Sequence, residues 1–509
     1  MDTKALRQKI LDLAIRGKLV PQDPSDEPAS VLLEKIREEK ARMVKEGKLK
    51  KKDIKNDSII YVGEDNLHYE KFQDGTVKCI EDEIPFEVPE GWSWTRLGTI
   101  SNIVTGRLDA NAQTPDGEYP FFTCGEEVLK TDSFAFDCNA ILLGGNNATG
   151  DFKMHRFMGK FNAYQRVYVI TTFPEIDTDY LYNHIQYYLP KLQLQSIGSQ
   201  TRYLKLGMIK DLLIALPALR EQKSISESCN IYLNYCAEIT DEKESLKAII
   251  KNTKSKILDL AIRGKLIPQD PNDEPASVLL ERIREEKEGL IKQGKIKRDK
   301  KESVIFKGED NSYYLNDGQM TLDINDDLPF DIPDSWDWVR LKDVFIINPR
   351  NKLDDDLEVS FIPMPLIEDG YSGKHTAEVR HWKEVKTGFT HFAEGDIGVA
   401  KITPCFENRK STVFENLTNG YGAGTTELHV LRPFGKSILA QYLLAYIKSD
   451  YFIENGKQTF TGAVGQQRIG KEYVENAYFP LPPIKEQERI VQQISAVFEY
   501  LNMISEALS

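Results

Sequence analysis

The sequence predicts a mixed α/β protein in which two α/β domains are separated by long antiparallel helical hairpins, in a pseudo-twofold and nearly cyclic repeat. Its 509 residues amount to about three or four ordinary domains, so more than one hydrophobic core is expected. A long segment near the N-terminus recurs almost unchanged in the middle of the chain. Apolar residues at heptad spacing before the second copy and at the C-terminus indicate long helices.

The repeated segment is the decisive observation, because self-similarity sets the architecture of a chain. KILDLAIRGKLVPQDPSDEPASVLLEKIREEK begins at Lys9 and recurs from Lys256 as KILDLAIRGKLIPQDPNDEPASVLLERIREEK. Weaker similarity continues through GEDN in both copies to IPFEVPEGWSWTRL and LPFDIPDSWDWVRL, and LPALREQKSI and LPPIKEQERI close the two halves. Each half therefore begins and ends in the same way.

The interiors of the two halves, 94–216 and 338–481, show little resemblance to each other. Two modules that are held identically but differ inside can present two different binding surfaces in one fixed geometry. The alternative is a duplication that has only drifted, but drift alone should also have blurred the frame.

The chain ends fit the same repeat, since Met1 aligns with Ala248 and Ser509 with Glu244. The chain is thus a nearly closed cycle cut inside one helix, and residues 1–19 are expected to complete the C-terminal helix, with the two ends close together. The predicted coiled-coil seam consists of Ile490, Ile494, Val497, Leu501, Ile504 and Leu508, continued by Leu6, Ile10 and Leu13, with Ile225, Tyr232, Ile239, Leu246 and Leu260 as its internal counterpart.

Each copy of the repeat predicts a helical hairpin. Gly17 or Gly264, with the PQDP turn that follows, stops the first helix, and a charged second helix starts near the cap-like Ser30 or Ser277. An unbroken helix over 219–266 would be on the order of 70 Å long at about 1.5 Å per residue. It would act as a fixed spacer between the two domains.

These features give a domain map of seven segments. They are an N-terminal helical region at 1–56, a linker at 57–89, the first α/β domain at 90–218, a central helical hairpin at 219–300, a second linker at 301–333, the second α/β domain at 334–483, and a C-terminal helix at 484–509.

Composition excludes several classes of protein. The values of 28% charged and 40% apolar residues are globular, and the N-terminus is too polar for a secretory signal, so a soluble cytoplasmic protein is expected. The six cysteines lack a CxxC pair and the seven histidines show no ligand spacing, so neither disulfides nor a metal site is indicated. The net charge of −13 argues against a whole surface that binds nucleic acid.

The motifs LAxRGKLxPQDPxDEPASxLL, GWxWxRL or SWxWxRL, and LPxxxEQxxI closely resemble the specificity subunits of type I restriction-modification enzymes, over essentially the whole chain. The resemblance is greatest to the branch with a conserved helical region ahead of each of two target-recognition domains. It implies a non-catalytic subunit that reads a bipartite double-stranded DNA site, one domain per half-site. It also implies two adenine-N6 methyltransferase subunits and motor-nuclease subunits as partners.

The absence of catalytic motifs agrees with this interpretation. The sequence contains no NPPY or DPPY methylation motif, and the GKS at Gly435 lacks the upstream glycine of a P-loop. No cofactor is therefore expected in this chain, and the resemblance implies that S-adenosylmethionine, ATP and Mg²⁺ belong to the partner subunits. The isolated histidines indicate no catalytic or metal-binding residue.

Residues that read DNA bases are expected on Gly-rich loops, because Arg or Lys pairs with guanine and Asn or Gln with adenine. Residues 92–217 hold 11 Lys/Arg and 12 Asp/Glu, so the first domain is nearly neutral and can approach DNA. Its two candidate clusters are GGNNATGDFKMHR, with Asn146, Asn147, Lys153, His155 and Arg156, and the favoured SIGSQTRYLK, with Ser199, Gln200, Thr201 and Arg202.

The second domain has a similar element, FTGAVGQQRIG, at a comparable distance before its closing LP motif. Its candidates are Gln466, Gln467 and Arg468, together with Lys401, Asn408, Arg409 and Lys410 of AKITPCFENRK, a block also typical of the family. For any one of these residues the alternative is a solvated loop side chain. The basic stretches at 45–53 and 292–301 are interpreted as solvated linkers, with contact to the DNA backbone as the alternative. The WxW tryptophans are assigned to the core.

Three rival functions stay open on the sequence. The nearest is a specificity subunit of a related system whose partner fuses methylation and cleavage. A self-contained DNA-modifying enzyme would have to bind S-adenosylmethionine by itself. A purely structural coiled-coil scaffold would show no sequence preference.

Overall fold

The computed structural model describes residues 2–51, 54–298, 303–316, 318–435, 437–463 and 465–508. The chain divides into two compact units, Met1–Lys243 and Glu244–Ser509. Both units mix helices and strands, so the mixed α/β fold class predicted from the sequence is confirmed.

The first unit holds five helices and the start of a sixth among its described residues. They are α1 Thr3–Ile15, α2 Ala29–Lys45, α3 Leu97–Ile100, α4 Thr178–Gln195, α5 Leu206–Lys210 and α6 Leu219–Ile262, with a 3-10 turn at Glu81–Glu83. Its strands are β1 Ser58–Val62, β2 His68–Phe72, β3 Val77–Cys79, β4 Ser93–Arg96, β5 Ser101–Thr105, β6 Tyr119–Phe122, β7 Leu129–Thr131, β8 Phe136–Gly144, β9 Asn146–Asn147, β10 Met154–Ala163, β11 Val167–Thr172, β12 Arg202–Tyr203 and β13 Leu213–Leu216.

The second unit takes up the rest of α6 and seven further helices of its described residues. They are α7 Ala276–Lys292, α8 Leu341–Val344, α9 Trp382–Val385, α10 Ala440–Ile447, α11 Asp450–Gln458, α12 Lys471–Asn476 and α13 Ile484–Leu508, with 3-10 turns at Asn325–Asp327, Met364–Leu366 and Thr418–Gly420. Its strands are β14 Val304–Lys307, β15 Tyr313–Asn316, β16 Thr321–Asp323, β17 Asp337–Arg340, β18 Phe345–Ile347, β19 Glu358–Ile362, β20 Glu378–His381, β21 Thr390–Ala393, β22 Ile397–Ala400, β23 Ser411–Val413, β24 Tyr421–Gly424, β25 Leu428–Pro433 and β26 Tyr478–Leu481.

The two units share a common set of sheets. The central strands run β5-β11-β8-β10 in the first unit and β18-β25-β22-β23 in the second, all antiparallel. A two-stranded sheet, β4 with β13 or β17 with β26, closes each domain. A three-stranded antiparallel sheet, β1-β2-β3 or β14-β15-β16, lies within each segment interpreted as a linker from the sequence.

The units differ in the strands added to that set. In the first, β10 pairs in parallel with β6, which extends the central sheet to six strands. In the second, a separate sheet of order β20-β19-β24-β21 carries a core of its own around Val359 and Trp382, and it shares a second core, around Phe392 and Phe414, with the central sheet. The divergence of the interiors therefore includes their topology.

The helices of the repeat pair antiparallel within each unit. Thr240 on α6 donates a hydrogen bond of 3.0 Å to Thr3 on α1, and Arg220 at the start of α6 lies 3.8 Å from Asp26. In the second unit Lys254 on α6 donates to Asn502 on α13 at 2.6 Å. The apolar faces of α1 and α6 meet through Ile10, Leu11, Ile225 and Cys229, which are all buried.

The helix ends agree only in part with the predictions. α1 ends at Ile15 before Gly17, whose φ of +64° suits glycine. The start of α2 was expected at a serine cap, but its N-cap is Pro28, which makes no side-chain hydrogen bond. The carbonyl of Gly91 accepts from the Ala29 N–H at 2.9 Å instead, so tertiary contact replaces the cap.

The heptad prediction for α6 was wrong at two positions. Tyr232 and Leu246 are exposed, and the buried residues facing α1 are Cys229, Leu233 and Cys236. Cysteine packs like a small apolar residue. A heptad prediction that uses only larger apolar residues therefore misses Cys229 and Cys236. The tryptophans of the WxW motifs are buried, Trp94 and Trp338 almost completely, so their assignment to the core is confirmed.

Candidate nucleic-acid interface

The two candidate clusters of the first domain meet at one edge of its central sheet. β9 pairs antiparallel with β12, so that Arg202 lies opposite Asn147 and Tyr203 opposite Asn146. Gly145 joins this ribbon to the sheet, because its N–H donates to the Arg166 carbonyl at 2.7 Å and its carbonyl accepts from Leu204 at 2.9 Å. A Cβ at Gly145 would lie 2.5 Å from the Arg166 carbonyl oxygen, so the position requires glycine.

The tip of this ribbon presents the polar residues of SIGSQTRYLK. The Ile197 and Tyr203 backbones bond to each other, and Gly198 turns the chain with a φ of +106°. Ser199, Gln200 and Thr201 then stand exposed at the tip. Their side chains offer hydrogen-bond donors and acceptors to whatever approaches this edge.

Arg202 and Asn147 hold the ribbon in shape. The Arg202 guanidinium donates to the Ser196 hydroxyl at 2.7 Å and to the Ser196 and Gln193 carbonyls at 2.9 and 3.2 Å, at the C-terminal end of α4. Asn147 accepts from the N–H and the hydroxyl of Thr149, both at 2.8 Å. Asn146 is half-buried beside it.

The remaining residues of GGNNATGDFKMHR lie near the N-terminal end of β10. Lys153 lies 2.9 Å from Asp151, whose carboxylate raises the pKa of Lys153. Arg156 forms an ion pair with Asp179 in the first turn of α4, which turns its guanidinium towards the opposite end of that helix from the ribbon. The structure therefore separates Arg156 from the Ser199–Thr201 tip.

The second domain brings its two candidate clusters together in the same way. The segment after β22 bridges to the segment before α12, with Ile402 opposite Arg468. Thr403 N–H donates to the Gln467 carbonyl at 2.9 Å, and the Thr403 hydroxyl accepts from the Gln467 N–H at 3.1 Å. In both domains, therefore, the loop after the equivalent central strand pairs with the loop before the closing LP motif.

The side chains at this second edge differ from those at the first. Gln466 and Asn408 are exposed, and Lys401 and Gln467 are half-buried. Arg468 donates two parallel hydrogen bonds of 2.9 Å to Glu427, and this contact lowers the pKa of Glu427. About two fifths of the Arg468 side chain stays exposed, enough for it to reach a further acceptor.

Arg409 and Lys410 are occupied by contacts inside the second domain. The Arg409 side chain is only 13% exposed, donates to the Lys448 carbonyl at 3.0 Å and pairs with Asp450. Lys410 donates to the Met364 carbonyl at 3.2 Å. Burial lowers the pKa of neighbouring Lys448 to about 7. This geometry suits positioning of the 401–408 loop, and a direct role in DNA contact stays a prediction for both residues.

Two arginines that the motifs did not single out also lie at the first edge. Arg107 and Arg166 are exposed, and within the described ranges no hydrogen bond or ion pair involves either guanidinium. Arg107 N–H donates to the Ala163 carbonyl at 3.2 Å, next to the turn that holds Arg166. The sequence feature that could have pointed to Arg107 is the preceding Gly106, because a Cβ at Gly106 would lie 2.1 Å from the Ala163 carbonyl oxygen.

The frame fixes each domain to its helices by equivalent contacts. Trp92 Nε1 donates to Glu221 Oε2 at 2.9 Å, and Trp336 Nε1 donates to Glu486 Oε2 at the same distance. Burial raises the pKa of both glutamates. The GWxW and EQ motifs of the sequence are thus partners in space in both units.

The glutamines of the EQ motifs reach into the variable domains. Gln222 donates to the Pro217 carbonyl at 3.0 Å and accepts from Asp177 N–H at 2.8 Å, at the start of α4. Gln487 donates to Pro482 at 3.0 Å and accepts from Leu439 N–H at 2.9 Å, at the start of α10. One glutamine therefore orients the first long helix of each divergent domain, α4 or α10.

The described residues contain neither a candidate metal site nor a candidate membrane span. No cluster of His, Cys, Asp and Glu suited to a metal ion occurs among residues 2–51, 54–298 and the later described ranges. Nor does any helix within these ranges combine the length and the apolar character that crossing a membrane requires. The basic stretches are described only at 45–51 and 292–298, and their remaining residues lie outside the described part of the chain.

The fold defines a class of protein in which a duplicated frame carries two domains. Each domain presents a polar edge whose loops are shaped by glycines, and the two edges differ in their side chains. The model of the type I restriction modification DNA specificity domain matches residues 89–248 and 333–508. The chain belongs to this family, as the sequence motifs predicted.

The chain is also similar to two specificity subunits of known type and to one solved structure. The chain is 46% identical to the type I restriction enzyme EcoAI specificity subunit of Escherichia coli over 258 residues, 50% of this chain and 41% of that protein. It is 47% identical to the EcoEI specificity subunit of Escherichia coli over 48% of this chain and 39% of that protein. These matches span about two fifths of each relative's length. A solved chain of the type I R-M system aligns with a TM-score of 0.46 at 16% identity, over 83% of this chain and 94% of the other.

Proposed function

We propose that this chain is the DNA-recognition subunit of a type I restriction-modification complex. It reads a bipartite double-stranded DNA site, with one recognition domain per half-site. It also scaffolds two adenine-N6 methyltransferase subunits and the motor-nuclease subunits. The chain itself is non-catalytic and cytoplasmic, and S-adenosylmethionine, ATP and Mg²⁺ act in its partners.

The observation that carries this proposal is the pairing of two polar loops at equivalent edges of two domains that differ in sequence. The Ser199–Thr201 tip and the Gln466–Gln467 tip present amide and hydroxyl groups, which suit base edges in a major groove. Their backbones are fixed by the glycines and by Arg202 and Arg468, so little ordering is needed on binding. The different side chains at the two tips fit two different DNA words.

The duplicated frame supports the scaffold part of the proposal. Equivalent Trp–Glu and Gln–backbone contacts occur in both units, and equivalent surfaces suit two copies of one partner. The first domain is not strongly basic, since residues 92–217 hold 11 Lys/Arg and 12 Asp/Glu. Partner subunits therefore supply much of the salt-dependent attraction to phosphate.

The test is to map methylated adenines in DNA from cells that express this chain with its neighbouring methyltransferase. Residues 92–217 are then exchanged for those of another specificity subunit. A bipartite motif in which only one half changes is the expected result. A continuous motif, or methylation that ignores the exchange, would contradict the proposal.

Matched point variants sharpen the same measurement. Gln200→Ala and Gln466→Ala each remove one amide at equivalent tips, and each should relax a single half-site by about 1–3 kcal/mol of discrimination. Met158→Ala, at an exposed apolar residue of β10, serves as the control and should change neither half.

A further inference from the structure

The small three-stranded sheets of the two units present equivalent outer faces that neither DNA reading nor the frame contacts use. In the first sheet one row is Ile59, Lys71 and Val77 and the next is Tyr61, Tyr69 and Cys79. In the second sheet the rows are Val304, Asn316 and Thr321, then Phe306, Tyr314 and Asp323. A β-branched residue and a cross-strand aromatic pair therefore occupy the same places in both sheets.

The opposite faces of these sheets are buried. Ile60 packs against the core that holds α1 and Trp92. Glu70 is almost fully buried, accepts from Ser58 and pairs with Arg96. In the second sheet Leu315 is buried. Because side chains alternate across a strand, the aromatic pairs point away from these cores.

One ring of each aromatic pair is exposed, and the half-buried partner ring holds it in place. Tyr61 and Phe306 are 41% and 42% exposed, so each face offers one aromatic ring to nearly the same extent. Their rings stack on Tyr69 and Tyr314 with centroids 5.9 and 5.8 Å apart. The Tyr69 and Tyr314 hydroxyls each donate to an aspartate, Asp65 or Asp310, at 2.7 Å.

The repeated GEDN motif builds this arrangement. A Cβ at Gly63 or at Gly308 would lie 2.8 Å from the Tyr69 or Tyr314 ring, so only glycine lets the tyrosine close over the turn. Asn66 and Asn311 turn the chain with φ of +61° and +64°, a conformation that asparagine tolerates. The motif is thus explained by the ring that it positions rather than by the turn alone.

We propose that these two faces, each centred on its aromatic pair, are docking surfaces for two identical copies of a folded protein, one copy per unit. This inference rests on the proposed function, and the occupant is the methyltransferase subunit. Its contact residue should be an aliphatic side chain or an arginine, which can stack on an exposed ring.

The choice of a protein over DNA follows from what the repeat has kept. The DNA-reading loops differ between the units, whereas the small sheets keep the same tyrosine, glycine and aspartate and carry an aromatic ring, Tyr61 or Phe306, at the paired position. A surface that meets two copies of one partner has to keep its central contact in both places, while the residues around that contact can vary. Asp65 and Asp310, beside the rings, would also repel phosphates.

The size of each face sets its role within the contact. Three strands about 4.8 Å apart and a few residues long, at about 3.3 Å per residue, cover roughly 100–200 Å². A standard interface buries about 800 Å² per partner. Each face is therefore an anchor inside a wider interface, where rigid aromatic residues contribute most of the binding energy.

The experiment is native mass spectrometry of the full chain co-expressed with the neighbouring methyltransferase. The wild type is expected to carry two methyltransferase copies. Tyr61→Ser and Phe306→Ser should each weaken the affinity for one copy by at least about tenfold, and the double variant should release both. Val62→Ser is the control, because Val62 is exposed on the same strand but alternates to the other face.

The outcomes separate the two proposals. A wild-type chain that carries no methyltransferase contradicts the proposed function. Two copies retained by all the variants overturn the docking surface alone, as does a wild-type chain that instead dimerises through this face. In a second measurement on the wild type, amide exchange at 58–62 and 304–307 should slow when the methyltransferase binds, and unchanged exchange would equally overturn the inference.

Discussion

At the scale of single residues, the frame depends on buried polar pairs that leave little room for substitution. Glu221→Ala would leave Trp92 Nε1 buried without its acceptor, and such an orphaned donor costs about 1–3 kcal/mol. We expect a lower urea midpoint of unfolding for this variant. Glu227→Ala removes an exposed carboxylate from the same helix and should leave the midpoint nearly unchanged. Equal midpoints for the two variants would contradict the role of the pair.

Asp343 gives the second unit a dependence on pH. Burial raises the pKa of this carboxyl from an ordinary value of 3.8 to about 6, despite the nearby Lys342, Lys287 and Arg340. Because the folded pKa lies above the unfolded value, the contribution of Asp343 to stability is full below about pH 4 and is lost as the pH rises through about 6.

The measurement compares urea midpoints of the wild type and Asp343→Asn from pH 4 to pH 8. The variant lacks the titrating group, so its stability relative to the wild type should rise between about pH 4 and pH 6 and then level off. Asp343→Thr introduces the residue found at the equivalent position, Thr99, and should behave like the asparagine variant. A difference that stays constant across this range would show that the carboxyl is not desolvated.

At the scale of elements, the glycines that end the helices of the repeat are of two kinds. Gly17 and Gly47 both have positive φ, +64° and +73°. A Cβ at Gly17 would lie 2.5 Å from Pro89, whereas nothing lies within 4 Å of a Cβ at Gly47. The first glycine therefore meets a tertiary constraint in addition to its backbone conformation.

This difference predicts unequal effects of alanine at the two positions. Gly47→Ala should cost about 1–2 kcal/mol, from the left-handed backbone alone. Gly17→Ala should cost about 1–3 kcal/mol more, because Pro89 has to move. Urea midpoints of the two variants measure the difference. Equal losses would mean that the contact between the turn and Pro89 is easily relaxed.

The elements also show what the sequence could predict and why the rest escaped it. Helix ends at Gly17 and Gly264 follow from local chemistry, and the repeat locates them twice. The pairing of β9 with β12 joins strands of two residues that lie more than fifty positions apart, so no local pattern marks it. The small sheets lie in segments interpreted as linkers, since their exposed faces mix apolar and polar residues and this hides the usual alternation.

The same limit applies to the candidate site. The loops that meet at each edge were found from their glycines and from the similarity of SIGSQTRYLK to FTGAVGQQRIG. Which arginine is occupied by intramolecular contacts depends on distant partners, such as Asp450 for Arg409 and Glu427 for Arg468. The residue types in the loops therefore predict where the two candidate edges lie. Only the fold distinguishes residues with intramolecular partners from residues whose side chains are exposed.

At the scale of the whole molecule, the frame contacts its two domains through equivalent groups although the domains differ. Gln222 and Gln487 each orient the first long helix of their domain through one backbone N–H. Tyr180 and Tyr442 on those helices donate to carbonyls of the closing strands at Ala215 and Pro480. A domain that offers this N–H and this tyrosine should therefore fit either place in the frame.

We therefore predict that a chain with residues 338–481 replaced by residues 94–216 folds and assembles with the methyltransferase. Both half-sites should then be read by the same loops. The methylated site should then contain the first domain's word in both halves, separated by the original gap. Methylation mapping distinguishes this outcome from retention of the second word, which would show that residues outside 338–481 read it.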